Sequence, residues 1–442
     1  MLYAVSFLFS FLSGRDSGKL VGAIVMSLVT LVLVFFKCVG SRLGCFYNQF
    51  YPLFLDEISF LLIVLSFLIS YLSIYSRIGH VKEREAWKYV FLVIFILLLL
   101  VFLFSVRGFI RFFVIFEFIM MPIVFIVGIW RSQKERLTAN YYFFFYTLLG
   151  RVPLMLCVLT SMKGRNSFFM LEKVIGEIGL VSFMGILVVI LAFLCKLPFY
   201  GLHIWLPKAH VEAPVRGSMI LAGLLLKIGR YGIMRCLTFI FVPMVFSKYV
   251  FLCLSGVGVI YPMLVCLRQV DLKSFIAYSS VSHISIALAG LFIYNFYRVL
   301  GGFVVFLRHG LISPLIFYSV NLVYERINTR IVVRMGRFGR TLKNFFCYFL
   351  LIFVANMGYP PFVSFFRELS LYFSLLSWNV CVAALLFVFI FFSGVVIIYF
   401  LVKVFKGKEV KMNCIFLSYR EVLVYWVRIY ILCLLTLLFP AL

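Results

Sequence analysis

The sequence predicts an all-α, polytopic membrane protein of about fourteen transmembrane helices, and three observations predict it. Hydrophobic residues fill 65% of the 442 positions, at a mean hydropathy of +1.15. A water-soluble chain of this length cannot hide that much apolar surface. Apolar runs of about 20 residues recur from end to end, each long enough to cross a hydrocarbon core of about 30 Å. Between them no polar stretch is long enough for a separate soluble domain.

In chain order the runs fall at 2–13, 19–39, 57–76, 86–106, 108–130, 139–161, 178–200, 213–237, 247–267, 271–296, 298–323, 344–377, 380–405 and 420–440. The first is short for a full span. Two runs carry their own interruption. In the seventh, LAFLCKLPF, Pro198 follows Lys196 by two residues. In the twelfth, Asn356-Met357-Gly358-Tyr359-Pro360-Pro361 precedes Glu368. Proline removes a backbone donor and frees a carbonyl, which membrane depth tolerates only beside protein or water. Broken spans five helices apart predict two five-helix repeats, helices 4–8 and 9–13. An odd number of helices makes the second inverted relative to the first. The expected divisions are 1–85 (helices 1–3), 86–237 (first repeat), 247–405 (second repeat) and 406–442 (the last helix).

The net charge of +26 invites a nucleic-acid reading, but its distribution argues against one. Lys and Arg concentrate in the odd-numbered connections, including Arg77, Lys82, Arg84 and Lys88, then 326–343, then 403–420. That bias places the odd connections inside and both termini on the opposite side. The loop bases then face anionic phospholipid headgroups. The eleven cysteines form no C-x-x-C pair and sit mostly in apolar runs, so zinc and iron–sulfur ligation are not expected. Neither a G-x-G-x-x-G fingerprint nor a P-loop is present. No removable signal is expected, because no basic stretch precedes the first apolar run. The 55 phenylalanines fit the T-rich codons of some organellar genomes.

The informative residues are those that resist a lipid solvent. Of 15 acidic residues only Glu117, in FVIFEFIMMPIVF, and Glu368, in FRELSLYF, lie well inside apolar runs. Lys196 and Lys227 (LAGLLLKIG) are the matching bases. Each costs about 2.5–3.5 kcal/mol at a helix centre on insertion scales, so each should face protein or a water-filled cavity. Static ion bridges between helices are the plain reading of one such charge. Four of both signs, on separate helices, read better as a proton relay. Burial and an approaching opposite charge move a carboxyl or an amine in opposite senses, so a Glu–Lys pair that forms and separates is a proton switch. Glu117 and Lys196 are the candidates. His283 (AYSSVSHISIALAG) and His309 (VVFLRHGLISPLIF) extend the row, and Ser279, Ser280, Ser282 and Ser285 would supply a hydrated path toward Glu368. His203 and His210, in the connection after the break, read as structural or as the mouth of the path; His80 is a loop residue.

These motifs carry a resemblance. The stretch LPFYGLHIWLPKAHVEAPVRGSMILAGLLLKIGRYGIMR (197–235) closely resembles the antiporter-like, proton-pumping membrane subunits of NADH:ubiquinone oxidoreductase, respiratory complex I. DLKSFIAYSSVSHIS (271–285), HGLISPLIFYSVNLVYER (309–326) and LDEISFLL (55–62) are similar to further signatures of that family. The resemblance implies fourteen helices in paired inverted repeats. It lays the family's relay residues on Glu117, Lys196, Lys227 and Glu368. Acid rather than lysine at 368, and no long lateral helix after the last span, point to the chain 4 branch. Arginines depart from the family pattern at Arg151, Arg230, Arg308 and Arg367, the last two each just before a relay residue.

The expected function follows: a membrane-arm subunit that moves protons along Glu117, Lys196, Lys227, His283, His309 and Glu368 while redox chemistry occurs elsewhere. The resemblance implies no cofactor in this chain, with NADH, FMN, iron–sulfur clusters and ubiquinone in partner subunits. It implies the mitochondrial inner membrane as location and neighbouring antiporter-like subunits as partners. A cation/proton antiporter subunit of the same fold is the principal rival, and a structural scaffold or a quinone-binding subunit are others.

Overall fold

The protein is described from a computed structural model covering residues 56–76, 83–106, 108–130, 135–162, 180–240, 245–292, 296–332, 343–360, 362–377, 379–406 and 418–438. The expected first two spans, and His80, lie outside these residues. Every described segment is helical, with no strand among the described residues; an isolated bridge joins Asp271 to Ile331.

The helices follow the apolar runs closely. We number them α1 (Glu57–Tyr75), α2 (Glu83–Ser105), α3 (Phe109–Phe118), α4 (Met120–Ile129), α5 (Arg136–Met162), α6 (Leu180–Lys196), α7 (Trp205–Glu212) and α8 (Val215–Ile220). A π turn, Leu221–Leu225, leads into α9 (Leu226–Ile240). Then come α10 (Val245–Arg268), α11 (Leu272–Phe292), α12 (Phe296–Ile327), α13 (Lys343–Met357), α14 (Val363–Leu376), α15 (Val380–Lys406) and α16 (Tyr419–Leu438). Eight segments among them are long and apolar enough to cross a bilayer. The chain divides into two compact units, Met1–Pro122 and Ile123–Leu442.

In the first unit α1 packs on α2, and α2 on α3. Ser59 Oγ accepts the Asp56 N–H at 2.8 Å, closing the start of α1. Ser66, Ser70 and Ser73 are buried, yet each hydroxyl donates to a carbonyl three residues back on its own helix. A polar side chain satisfied within its own helix adds little cost in an apolar setting.

The second unit is built around α11 and α12. α12 packs against α11, α13, α14, α16, α8 and the π turn; α11 packs against α7, α10 and α12. Nearly every residue of α11 is buried, glycines and serines included. Around them α15 keeps a lipid-type face, with Phe387, Phe391, Ile398 and Val402 exposed at helical spacing. Polar and charged residues therefore sit on the inner helices and apolar side chains outside, the inverse of a soluble bundle.

Both expected breaks are present. α6 stops at Lys196, the chain turns through Pro198 and Gly201 (φ +91°), and α7 resumes at Trp205. The carbonyl that the break releases on Cys195 accepts the Trp205 indole N–H at 2.9 Å. α13 stops at Met357, Gly358 takes φ +77°, and α14 starts at Val363. A positive φ of this size strains any residue with a Cβ, so glycine ends α13 as it ends many helices.

Candidate functional site

Lys196, the last residue of α6, is 3% exposed. Its Cβ lies against α9 at Gly229, where an added Cβ would stand 3.3 Å from it. The glycine lets the two lysine-bearing helices meet closely, two residues from Lys227.

Lys227 is 2% exposed. Its Nζ lies 3.1 Å from His309 Nδ1 and donates to the Ala222 carbonyl at 3.2 Å. That carbonyl belongs to the π turn, where one extra residue per turn releases carbonyls from the α pattern. The same turn shifts the helical phase ahead of Lys227.

One turn along α9, Arg230 is equally buried. It donates to the Gly302 carbonyl of α12 and lies 3.9 Å over the Phe306 ring. Gly302 permits this approach, since a Cβ there would come within 3.3 Å of the guanidinium.

On α12, Arg308 and His309 point to different partners, as consecutive helical residues must. His309 meets Lys227. Arg308 Nη2 forms an ion pair with Glu368 Oε1 at 3.0 Å and donates to His283 Nδ1 at 3.4 Å. Its Nη1 donates to the Asn356 carbonyl, at the end of α13, at 3.4 Å. All three side chains are buried. His283 also meets the edge of Phe389, with centroids 5.2 Å apart. Glu368 rests on the second break: a Cβ on Gly358 would fall 2.5 Å from Oε2.

The structure therefore brings together Lys227 with His309, and His283 with Glu368 through Arg308. Of the two expected histidines, His309 is the one at hydrogen-bond distance from Lys227, because the π turn and the α12 register face them together. The serines expected to line a hydrated path spend their hydroxyl protons on their own helix. Ser279, Ser280, Ser282 and Ser285 donate to Ile276, Ala277, Ser279 and Val281 carbonyls at 2.7–2.9 Å. Their oxygens retain only acceptor capacity. Glu117 lies on α3 in the first unit, partly exposed, and Lys196 in the second.

Sequence reasoning missed Arg308 and Arg230 as site residues. The signal was available, since both are arginines inside apolar runs. Glu368 is the one acidic residue buried as a whole among the described residues, and Lys196, Lys227, Arg230 and Arg308 are buried bases. No group of three or more His, Cys, Asp or Glu that could hold a metal occurs among the described residues.

In the connection after the first break, His210 is fully buried and stacks on Phe317, centroids 4.7 Å apart. Burial, and then the nearby Lys273 ammonium, push its imidazole down to about 3. It is a neutral, structural histidine. Lys273 itself donates to the Ala213 carbonyl at 2.8 Å. His203 is held down from the usual histidine range by burial and stacks on Tyr200, centroids 5.7 Å apart.

Residues 107–394 match the family described as NADH:quinone oxidoreductase/Mrp antiporter, TM, and residues 1–105 match NADH-ubiquinone oxidoreductase chain 4, amino terminus. NADH-ubiquinone oxidoreductase chain 4 of Ceratitis capitata is 36% identical over 379 residues, covering 85% of this chain and 83% of that protein. The Rhipicephalus sanguineus protein of the same name is 33% identical over 395 residues, covering 89% and 88%. A chain of respiratory complex I from Thermus thermophilus superimposes with a TM-score of 0.80 at 23% identity, covering 100% of this chain and 96% of its own. A chain of the Mrp complex from Dietzia sp. DQ12-45-1b does so at 0.79 and 18% identity, covering 93% and 80%.

Proposed function

The chain belongs to the NADH-ubiquinone oxidoreductase chain 4 family, and from that premise we propose the route by which it moves protons. It is an antiporter-like membrane-arm subunit of proton-translocating complex I, and other complex I subunits are its partners. Protons pass through it along Glu117, Lys196, Lys227, His309, His283 and Glu368. The observation that carries this reading is the 3.1 Å Lys227–His309 contact deep in the second unit. Two nitrogen bases at hydrogen-bond distance, on different helices and away from water, can pass a proton between them.

Glu117 and Lys196 are the charges at which the transfer starts when charge changes in a neighbouring subunit. NADH, FMN, the iron–sulfur clusters and ubiquinone belong to partner subunits. Residues 86–237 and 247–405 form the two half-channels, flanked by 1–85 and 406–442. The eukaryotic chain 4 relatives support a mitochondrial inner-membrane location, and the Lys/Arg bias of the connections supports both termini toward the intermembrane space. Anionic phospholipid faces the basic connections.

Replacing Glu117 or Lys196 by Ala in the assembled complex tests the reading. NADH-driven proton uptake into proteoliposomes should fall by at least about tenfold while the complex still assembles. Wild-type pumping in both variants would overturn it.

A further inference from the structure

The relay contains a residue that cannot relay. Arg308 touches both His283 and Glu368, yet a guanidinium carries five donors, accepts nothing and keeps its proton. We propose that Arg308 is the positioning residue and gate of the second half-channel: it clamps the Glu368 carboxylate on the broken helix and closes the step from His283 until the clamp opens. The proposal rests on the proton-relay reading above.

Three features make the clamp a built arrangement. Its contacts come from three elements, since α11 supplies His283, α14 supplies Glu368 and the end of α13 supplies the Asn356 carbonyl. The carboxylate is further seated by the positive-φ turn at Gly358, where only a glycine leaves room for it. Finally, the guanidinium N–H that faces His283 requires Nδ1 as an acceptor, so that the ring carries its proton on Nε2. A proton placed on Nδ1 would set two donors against each other in a buried site. Protonation of His283 at Nδ1 and the closed clamp therefore exclude one another. Opening is what a proton arriving at His283 would force, and it would leave the Glu368 carboxylate without its partner and ready to take that proton.

A static bridge would share the geometry but not the consequences, and two variants of the assembled complex separate them. In Arg308→Gln the carboxylate loses its counter-charge in a buried site, and such a group keeps a proton. Infrared difference spectra at neutral pH should show a protonated-carboxyl band in Arg308→Gln that is absent from the unsubstituted complex and from Arg308→Gln/Glu368→Gln. Arg308→Lys keeps the charge but carries all its donors on one nitrogen, so it cannot span Glu368 and His283 on one side and the Asn356 carbonyl on the other as the fork does. Passive proton flux through reconstituted, NADH-free Arg308→Lys complex under an imposed potential should rise by about tenfold. Unchanged flux in Arg308→Lys, or no new carboxyl band in Arg308→Gln, overturns the gate. Lys227→Ala serves as the control. If it pumps normally the relay reading itself fails; if it does not pump and the Arg308 variants behave as the unsubstituted complex, only the gate fails.

Discussion

Lys227 Nζ and His309 Nδ1 lie 3.1 Å apart although 82 residues separate them in sequence. The contact requires one nitrogen to donate and the other to accept, so the pair acts as one unit. Lys227→Ala and His309→Ala should each lower NADH-driven proton uptake by at least about tenfold, and the double variant should be no worse than the weaker single. Proteoliposome pumping assays on all four members of the cycle check this. Additive losses would show that the two residues act separately.

Gly201 and Gly358 both take positive φ, but only Gly358 has a carboxylate where a Cβ would be. An alanine at Gly201 meets open space and bears backbone strain alone, of about 1 kcal/mol. At Gly358 alanine must also displace Glu368. Gly358→Ala should abolish pumping or assembly where Gly201→Ala retains both, as read by native gel and NADH-oxidation staining.

Trp205 ties the two halves of the first break through its indole N–H on the Cys195 carbonyl. Trp205→Phe keeps a ring beside Phe143 but leaves that carbonyl unpaired next to Lys196. The cost is about 1–3 kcal/mol. The detergent-solubilised complex should unfold at a lower temperature than the unsubstituted one, measured by intrinsic fluorescence. An unchanged midpoint would mean another donor takes over.

His210 remains neutral in the fold down to about pH 3, held there first by burial and second by Lys273. An unfolded histidine takes up its proton near pH 6.5. Between these values the unfolded state binds more protons, so stability falls as pH falls, by up to about 1.4 kcal/mol per unit. His210→Phe, which keeps the stack on Phe317, should flatten the decline of thermal stability between pH 6.5 and 5. A slope equal to that of the unsubstituted complex would place the acid sensitivity elsewhere.

Much of this architecture is legible in the sequence. Helix limits such as Glu57–Tyr75 and Val245–Arg268 follow the apolar runs within a few residues, since lipid demands an uninterrupted apolar stretch. Pro198 and the Asn356–Pro361 segment declare the breaks by their chemistry. The π turn is not legible, because LAGLL has no local signal for one extra residue per turn and tertiary packing on α12 selects it. Nor does the sequence state which histidine faces Lys227, because that depends on helix phase after the π turn. Arg308 precedes His309 in sequence, and only the packing of α12 on α14 brings it to Glu368.

The burial of α11 bears on how the chain is made. A nascent helix stays in the bilayer only if lipid, or protein already there, is a better solvent than water. The segments 215–235, 272–292 and 301–327 are the least apolar of the spans and also the most enclosed. Lipid alone retains them poorly, and α12 packs against both of the others. The outer helices can each enter the membrane on their own hydrophobicity, whereas these three depend on company. A ribosome releasing this chain must therefore keep the middle of the protein sheltered in the insertion machinery until α12 has emerged.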